Sequence, residues 1–67
     1  MDRERVGGYL KELRGSRTQR EVAEAVGVTT MAISQYERGE RLPNDEMKIK
    51  LARYFQKTVE EIFFATV

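Results

Sequence analysis

Apolar residues recur along this chain in steps of three and four, the spacing that gathers side chains onto one face of a helix. Val6, Leu10 and Leu13 form the first such stripe. Val22, Ala23 and Val26 form the second, Ile33 and Tyr36 the third, Met47, Leu51 and Phe55 the fourth, and Val59, Ile62 and Phe63 the last. Polar punctuation separates them. Thr18 with Glu21, and Thr58 with Glu61, have the spacing of capping boxes, in which hydroxyl and carboxylate each satisfy a backbone N–H left free at a helix start. Thr29 and Asn44 are further N-caps, and Asp45 and Glu46 follow Asn44 where the helix dipole favours acids. Gly15, Gly27 and Gly39 supply left-handed stops, and Pro43 interrupts the chain before Asn44. The pattern predicts an all-α fold of five short helices. Its connections are too short to be linkers, so residues 1–67 are read as a single domain. Gly7 and Gly8 each weaken the first helix by about 1 kcal/mol relative to Ala, which predicts fraying at its start.

Length limits what such a fold can rest on. A chain of 67 residues buries only roughly 60% of its unfolded surface and is marginal alone. It has no cysteine and no histidine, so disulfides, zinc sites and His- or Cys-based catalysis are excluded. Nor is there a glycine-rich phosphate loop or a pair of carboxylates in a plausible cleft, so neither an enzyme nor a cofactor or small-molecule ligand is expected. Stability must come from well-packed helices, a partner subunit, or both. No apolar run approaches the roughly 18 residues of a membrane helix and no signal-peptide pattern opens the chain, so a cytoplasmic location is expected. Net charge is only +1. Its placement is uneven: Arg14, Arg17 and Arg20 lie in a stretch without acids, Arg38 and Arg41 flank the end of the third helix, and Glu60 and Glu61 mark an acidic end. On charge alone an ordinary solvated surface is the favoured reading.

Residues 18–39, TQREVAEAVGVTTMAISQYERG, carry the most information. Two helices that cross steeply after a short turn need a small residue where they touch, here Ala23, and a residue comfortable at positive φ, here Gly27. Val28 plugs the corner. On a wheel of about 100° per residue, Ile33, Tyr36 and Glu37 fall on the inner side of the third helix with Ala32 at its margin. Thr30, Met31, Ser34, Gln35 and Arg38 fall within an outer arc of about 140°. A merely solvated face usually carries Lys and Glu, and this one has neither. Its hydroxyls, amide, thioether and guanidinium suit base edges: glutamine reads adenine bidentately, and threonine or methionine packs on a thymine methyl. Helices two and three therefore have the layout of a helix-turn-helix, whose second helix lies in the DNA major groove.

These residues, with LKELR at 10–14, the RLP after Gly39, and LARYF and TVEEIF near the end, resemble the Cro/phage-repressor family of regulators, also called the XRE family. The resemblance covers nearly the whole chain. It implies a compact five-helix, lambda-repressor-like bundle that binds double-stranded operator DNA as a two-fold homodimer and usually represses transcription. By position, Thr30, Met31 and Gln35 match base-facing residues, with Ser34 on the same face. Gln19, Thr29, Arg38, Arg41 and Asn44 match backbone-gripping residues, and the basic edge adds Arg17 and Arg20. Arg14 and Glu37 match a structural ion pair that locks the recognition helix to the body. Three departures stand out. The Gly15–Arg17 link is shorter than in many relatives, Glu40 replaces a common lysine beside the expected phosphates, and Gln56 and Lys57 replace a common Gly and apolar residue.

The C-terminal EIFFATV offers more apolar side chains than a small core can take. Phe63 is expected to cap the core beside Ile62, and Phe63, Phe64 and Val67 are the candidates for a dimer surface, which would set two recognition helices about 34 Å apart. A frayed terminus is the plainer alternative. The chain ends where larger relatives continue into a sensing or cleavage domain, so control by concentration, promoter overlap or a second protein is expected. An exposed acidic patch at Glu21 and Glu24 leaves an activator role open. The competing class is a protein-interaction module, an antitoxin or antirepressor-like subunit that uses the tail rather than the third helix.

Overall fold

The computed structural model describes residues 1–65. Its helices are α1 (Arg3–Arg14), α2 (Gln19–Val26), α3 (Thr30–Glu37), α4 (Asp45–Phe55) and α5 (Glu60–Phe64), the last a short wide turn with π-type spacing. The five-helix, all-α expectation is met among the described residues, and Val67 lies outside them. Each helix begins where a side chain can cap it. Asp2 accepts from the N–H groups of Glu4 and Arg5, and Asn44 from that of Met47. Both Thr-Glu boxes close reciprocally: Thr18 with Glu21, and Thr58 Oγ1 with Glu61 N at 3.0 Å while Thr58 N donates to Glu61 at 2.9 Å. Each closed box satisfies two N–H groups the helix itself leaves free.

The core joins all five apolar stripes. Val6, Leu10, Val22, Ala23, Val26, Ala32, Ile33, Tyr36, Met47, Leu51, Ala52, Ile62 and Phe63 are buried, while Leu13, Val28 and Phe55 pack half-buried around them. α1 lies against α3 and α5, and α2 against α3 and α4. Among the described residues no buried side-chain polar atom lacks a hydrogen-bond partner, so the interior carries no penalty for unmatched polarity.

Three local expectations need correction. The start of α1 is not a weak point. Gly7 is buried where α1 crosses the backbone of α3, and a Cβ there would overlap the carbonyl oxygens of Tyr36 and Glu37. Glycine trades helix propensity for close approach. Gly15 has positive φ, but its ψ of −128° lies outside the left-handed helical basin. Phe63 is fully buried. It belongs to the core alone, and its assignment to a dimer surface fails, because the α5 turn directs Ile62 and Phe63 inward and leaves Phe64 outside.

Candidate nucleic-acid interface

The α2–turn–α3 unit is built from a few short hydrogen bonds. Gly27 adopts φ 77°, ψ 44°, and the N–H groups of Gly27 and Val28 both donate to the Ala23 carbonyl at 2.9 Å. Those two hydrogen bonds to one acceptor close the end of α2 and reverse the chain within two residues. Thr29 Oγ1 then accepts from Ala32 N at 3.1 Å and starts α3. At the far end Gly39, at φ 73°, lets the N–H of Glu40 reach the Gln35 carbonyl at 2.9 Å. α3 is thus fixed at both ends by backbone geometry that the sequence pattern predicts.

The inner face of α3 is Ala32, Ile33 and Tyr36, all buried. Thr30 and Met31 are exposed, Met31 with 69% of its surface free. Ser34 and Gln35 are half-buried, because two arginines from the following loop lie across them. Arg38 Nη1 donates to Ser34 Oγ at 2.7 Å. Arg41 Nη1 donates to Gln35 Oε1 at 3.3 Å, with its guanidinium 5.7 Å from the Tyr36 ring centroid. An exposed methionine beside hydroxyl, amide and guanidinium groups is poor design for a surface facing only water, and good design for a face that meets thymine methyls and base edges.

Arg14 and Glu37 form the expected pair. Nε to Oε2 is 2.6 Å and Nη2 to Oε1 is 3.0 Å, a fork-to-fork arrangement with the carboxylate side chain only 6% exposed. The hydrogen bond to Glu37 raises the Arg14 guanidinium above its ordinary value. Gln19 Nε2 also donates to Glu37 Oε1 at 3.0 Å. The carboxylate therefore ties the end of α3 to both α1 and α2, and Gln19 takes part in bracing the recognition helix.

The remaining sequence candidates are scattered more widely. Arg17 turns back over the end of α1, donating to the Leu13 and Arg14 carbonyls, with its guanidinium 5.4 Å from the Tyr54 ring centroid. Arg20 pairs with Glu24 one turn on along α2, and both are exposed. With Glu21 in a capping box and Glu24 paired, neither half of the suggested acidic patch is free. Asn44 Oδ1 accepts from Met47 N at 2.8 Å, and the residue is exposed. Sequence reasoning missed two contacts that shape this face: Arg41 on Gln35, and the pairing of Arg38 with Glu40. The only available signal was the Gly39 reversal that brings residues 38–41 back toward α3.

A family model described as helix-turn-helix matches residues 10–62. No curated protein matches. Among solved structures, the chain is similar to the P22 c2 repressor in complex with synthetic operator 9T, at 28% identity over 91% of this chain and 96% of that one, with a TM-score of 0.86. It is similar to the restriction-modification controller protein C.AhdI from Aeromonas hydrophila, at 28% identity over 92% and 97%, TM-score 0.83. It is also similar to the clp gene regulator ClgR from Corynebacterium glutamicum, at 28% identity over 92% of this chain and 68% of that one, TM-score 0.82. Fold, cap pattern, ion pair and matched span agree: the chain belongs to the helix-turn-helix family, in its Cro/phage-repressor (XRE) form.

Proposed function

We propose that this protein is a sequence-specific DNA-binding transcriptional regulator, a repressor that occupies a palindromic operator as a homodimer and excludes RNA polymerase. The observation that carries this reading is the outer face of α3. Thr30, Met31, Ser34 and Gln35 stand clear of the core on a helix pinned at both ends, and the face holds neither Lys nor Glu. A helix pinned in this way enters the major groove without having to fold first, with Arg38 and Arg41 moving off Ser34 and Gln35 as it docks. The similar P22 c2 repressor was solved with its operator, which supports the same docking here.

On this reading Thr30, Met31, Ser34 and Gln35 meet base edges and set sequence preference, while Thr29, Gln19, Arg38, Arg41 and Asn44 grip phosphates and set register. Arg17 and Arg20 sit at the edge of the footprint and add long-range attraction. Phe64, 54% exposed at the end of the α5 turn that Glu60 and Glu61 open, is the natural centre of the dimer contact. Two copies joined there would present recognition helices about 34 Å apart on one face of B-DNA. The protein would work in the cytoplasm, where its operator lies.

Selection of bound duplexes from a random DNA pool, followed by fluorescence anisotropy at two salt concentrations, tests this reading. Enrichment of a palindrome with half-sites about one helical turn apart is the expected result. Weak, salt-sensitive binding with no enriched sequence would overturn it in favour of a protein-interaction module.

A further inference from the structure

Glu40 stands where the interface should repel it. It lies three residues past the end of the recognition helix, on the segment whose arginines face the duplex in the reading above. Its carboxylate meets Arg38 in a fork: Nε donates to Oε2 at 3.0 Å and Nη2 to Oε1 at 3.1 Å. The third guanidinium nitrogen, Nη1, donates to Ser34 Oγ at 2.7 Å. Arg38 thus has a partner on every nitrogen, and lies over the outer face of α3. The other exposed pairs, Arg20–Glu24 and Lys50–Glu46, join residues one turn apart on a single helix. Arg38–Glu40 instead bridges a helix end to a loop across Gly39, whose positive φ brings the two side chains together.

A guanidinium fork accepts a carboxylate or a phosphate by the same geometry. We propose that Glu40 is an intramolecular stand-in for a DNA phosphate, a latch that keeps the Arg38 guanidinium occupied until operator backbone displaces it. The inference rests on the DNA-binding reading and names Glu40 as the residue that sets the affinity threshold. Both side chains are more than half exposed, and exposed pairs of this kind are weak and screened. The latch therefore opens readily under the dense charge of a duplex but holds against isolated anions. The mutual shift agrees with this contact: the hydrogen bond with Arg38 lowers the Glu40 carboxyl, and the same bond raises the Arg38 guanidinium. Breaking this pair offsets part of what Arg38 gains from a phosphate, so every duplex, cognate or not, is bound less tightly than a free arginine would allow.

The test is a double-mutant cycle on the full chain, read as duplex affinity against salt for the selected operator and a scrambled duplex. Glu40→Gln should bind both duplexes about threefold to tenfold more tightly near 0.1 M salt, with little change in the salt slope, since Arg38 neutralises the same phosphate in both complexes. In an Arg38→Ala background, Glu40→Gln should have almost no effect. An equal gain in that background would overturn the latch and assign Glu40 a direct repulsion of phosphate. No gain from Glu40→Gln, with the parent chain binding its operator, would overturn the latch alone. Failure of the parent chain to bind any duplex would overturn the DNA-binding reading and the latch with it.

Discussion

Gly7 of α1 lies so close to α3 that a Cβ built on it would stand 2.6 Å from the Glu37 carbonyl oxygen, and closer still to that of Tyr36. The adjacent Gly8 has nothing within 4 Å of the same position. The two glycines therefore have opposite substitution costs. Gly7→Ala should destabilise the fold by about 2 kcal/mol or more, because backbone cannot yield as a side chain can. Gly8→Ala should stabilise it by up to about 1 kcal/mol through helix propensity. Urea unfolding of the two variants checks both signs, and equal effects would refute the crossing geometry.

Glu37 receives Arg14 through two hydrogen bonds and Gln19 through a third. Arg14→Ala leaves a nearly buried carboxylate with only the amide, and should cost about 3 kcal/mol. Replacing both members by a well-packed apolar pair should recover much of that loss, since the cost is chiefly that of a stranded charge. Thermal denaturation of the single and double variants decides the matter.

Gln56 ends α4 in the left-handed conformation, φ 58° and ψ 43°, and is the only positive-φ residue other than glycine among the described residues. The Lys57 N–H still reaches the Ala52 carbonyl at 2.9 Å, so the cap forms despite the strained residue. Gln56→Gly should relieve that strain and stabilise the domain by about 1 kcal/mol. An unchanged or lowered melting temperature would show that the side chain contributes more than its backbone costs.

The N–H and hydroxyl of Thr58 hold the Glu61 carboxyl below its ordinary value, and Glu40 is lowered by Arg38. A carboxylate with a folded pKa below its unfolded one stabilises the fold above the unfolded value, and that stability is lost as pH falls through the folded one. Stability should therefore decline on acidification from about pH 5 downward. Glu61→Gln keeps an acceptor for the Thr58 N–H but cannot titrate, so its stability profile should be flatter over the same range. Parallel profiles for the two proteins would argue against the capping contact.

On DNA, Gln35→Ala should lose discrimination at about one or two base pairs, at a cost of about 1 to 3 kcal/mol on the preferred sequence. Arg41→Ala should weaken all duplexes alike and flatten the salt slope. Competition anisotropy with single-base operator variants separates the two. Identical behaviour on every sequence would show that base and phosphate roles are wrongly divided.

The elements and most of the caps were legible because each is a short-range event: a Thr-x-x-Glu box or a glycine stop acts within one turn. The inner and outer faces of α3 were legible for the same reason, since a wheel of about 100° per residue needs no tertiary knowledge. Gly7 was not. Its value lies in a backbone thirty residues away, while its local signal, low helix propensity, points the other way. Phe63 was legible as a core residue from the family pattern, but not that its full burial leaves none of it for a dimer surface, which the α5 turn decides. Nor does a charge count reveal that Arg38 is matched by Glu40 while Arg41 lies on an amide and a ring.

Arg5 Nη2 donates to the Ile62 carbonyl at 2.8 Å, tying α1 to α5 across most of the chain. With Gly7 seated on α3 and Arg14 gripping Glu37, a stiff path runs from the last helix to the reading face. A dimer joined at α5 would inherit that stiffness as a fixed measuring length. One base pair added between half-sites would turn them by about 35° relative to one another. Among the described residues this path consists of a hydrogen bond, a close backbone crossing and a forked ion pair. Spacing between half-sites would then be discriminated as sharply as sequence, by a frame that touches no base.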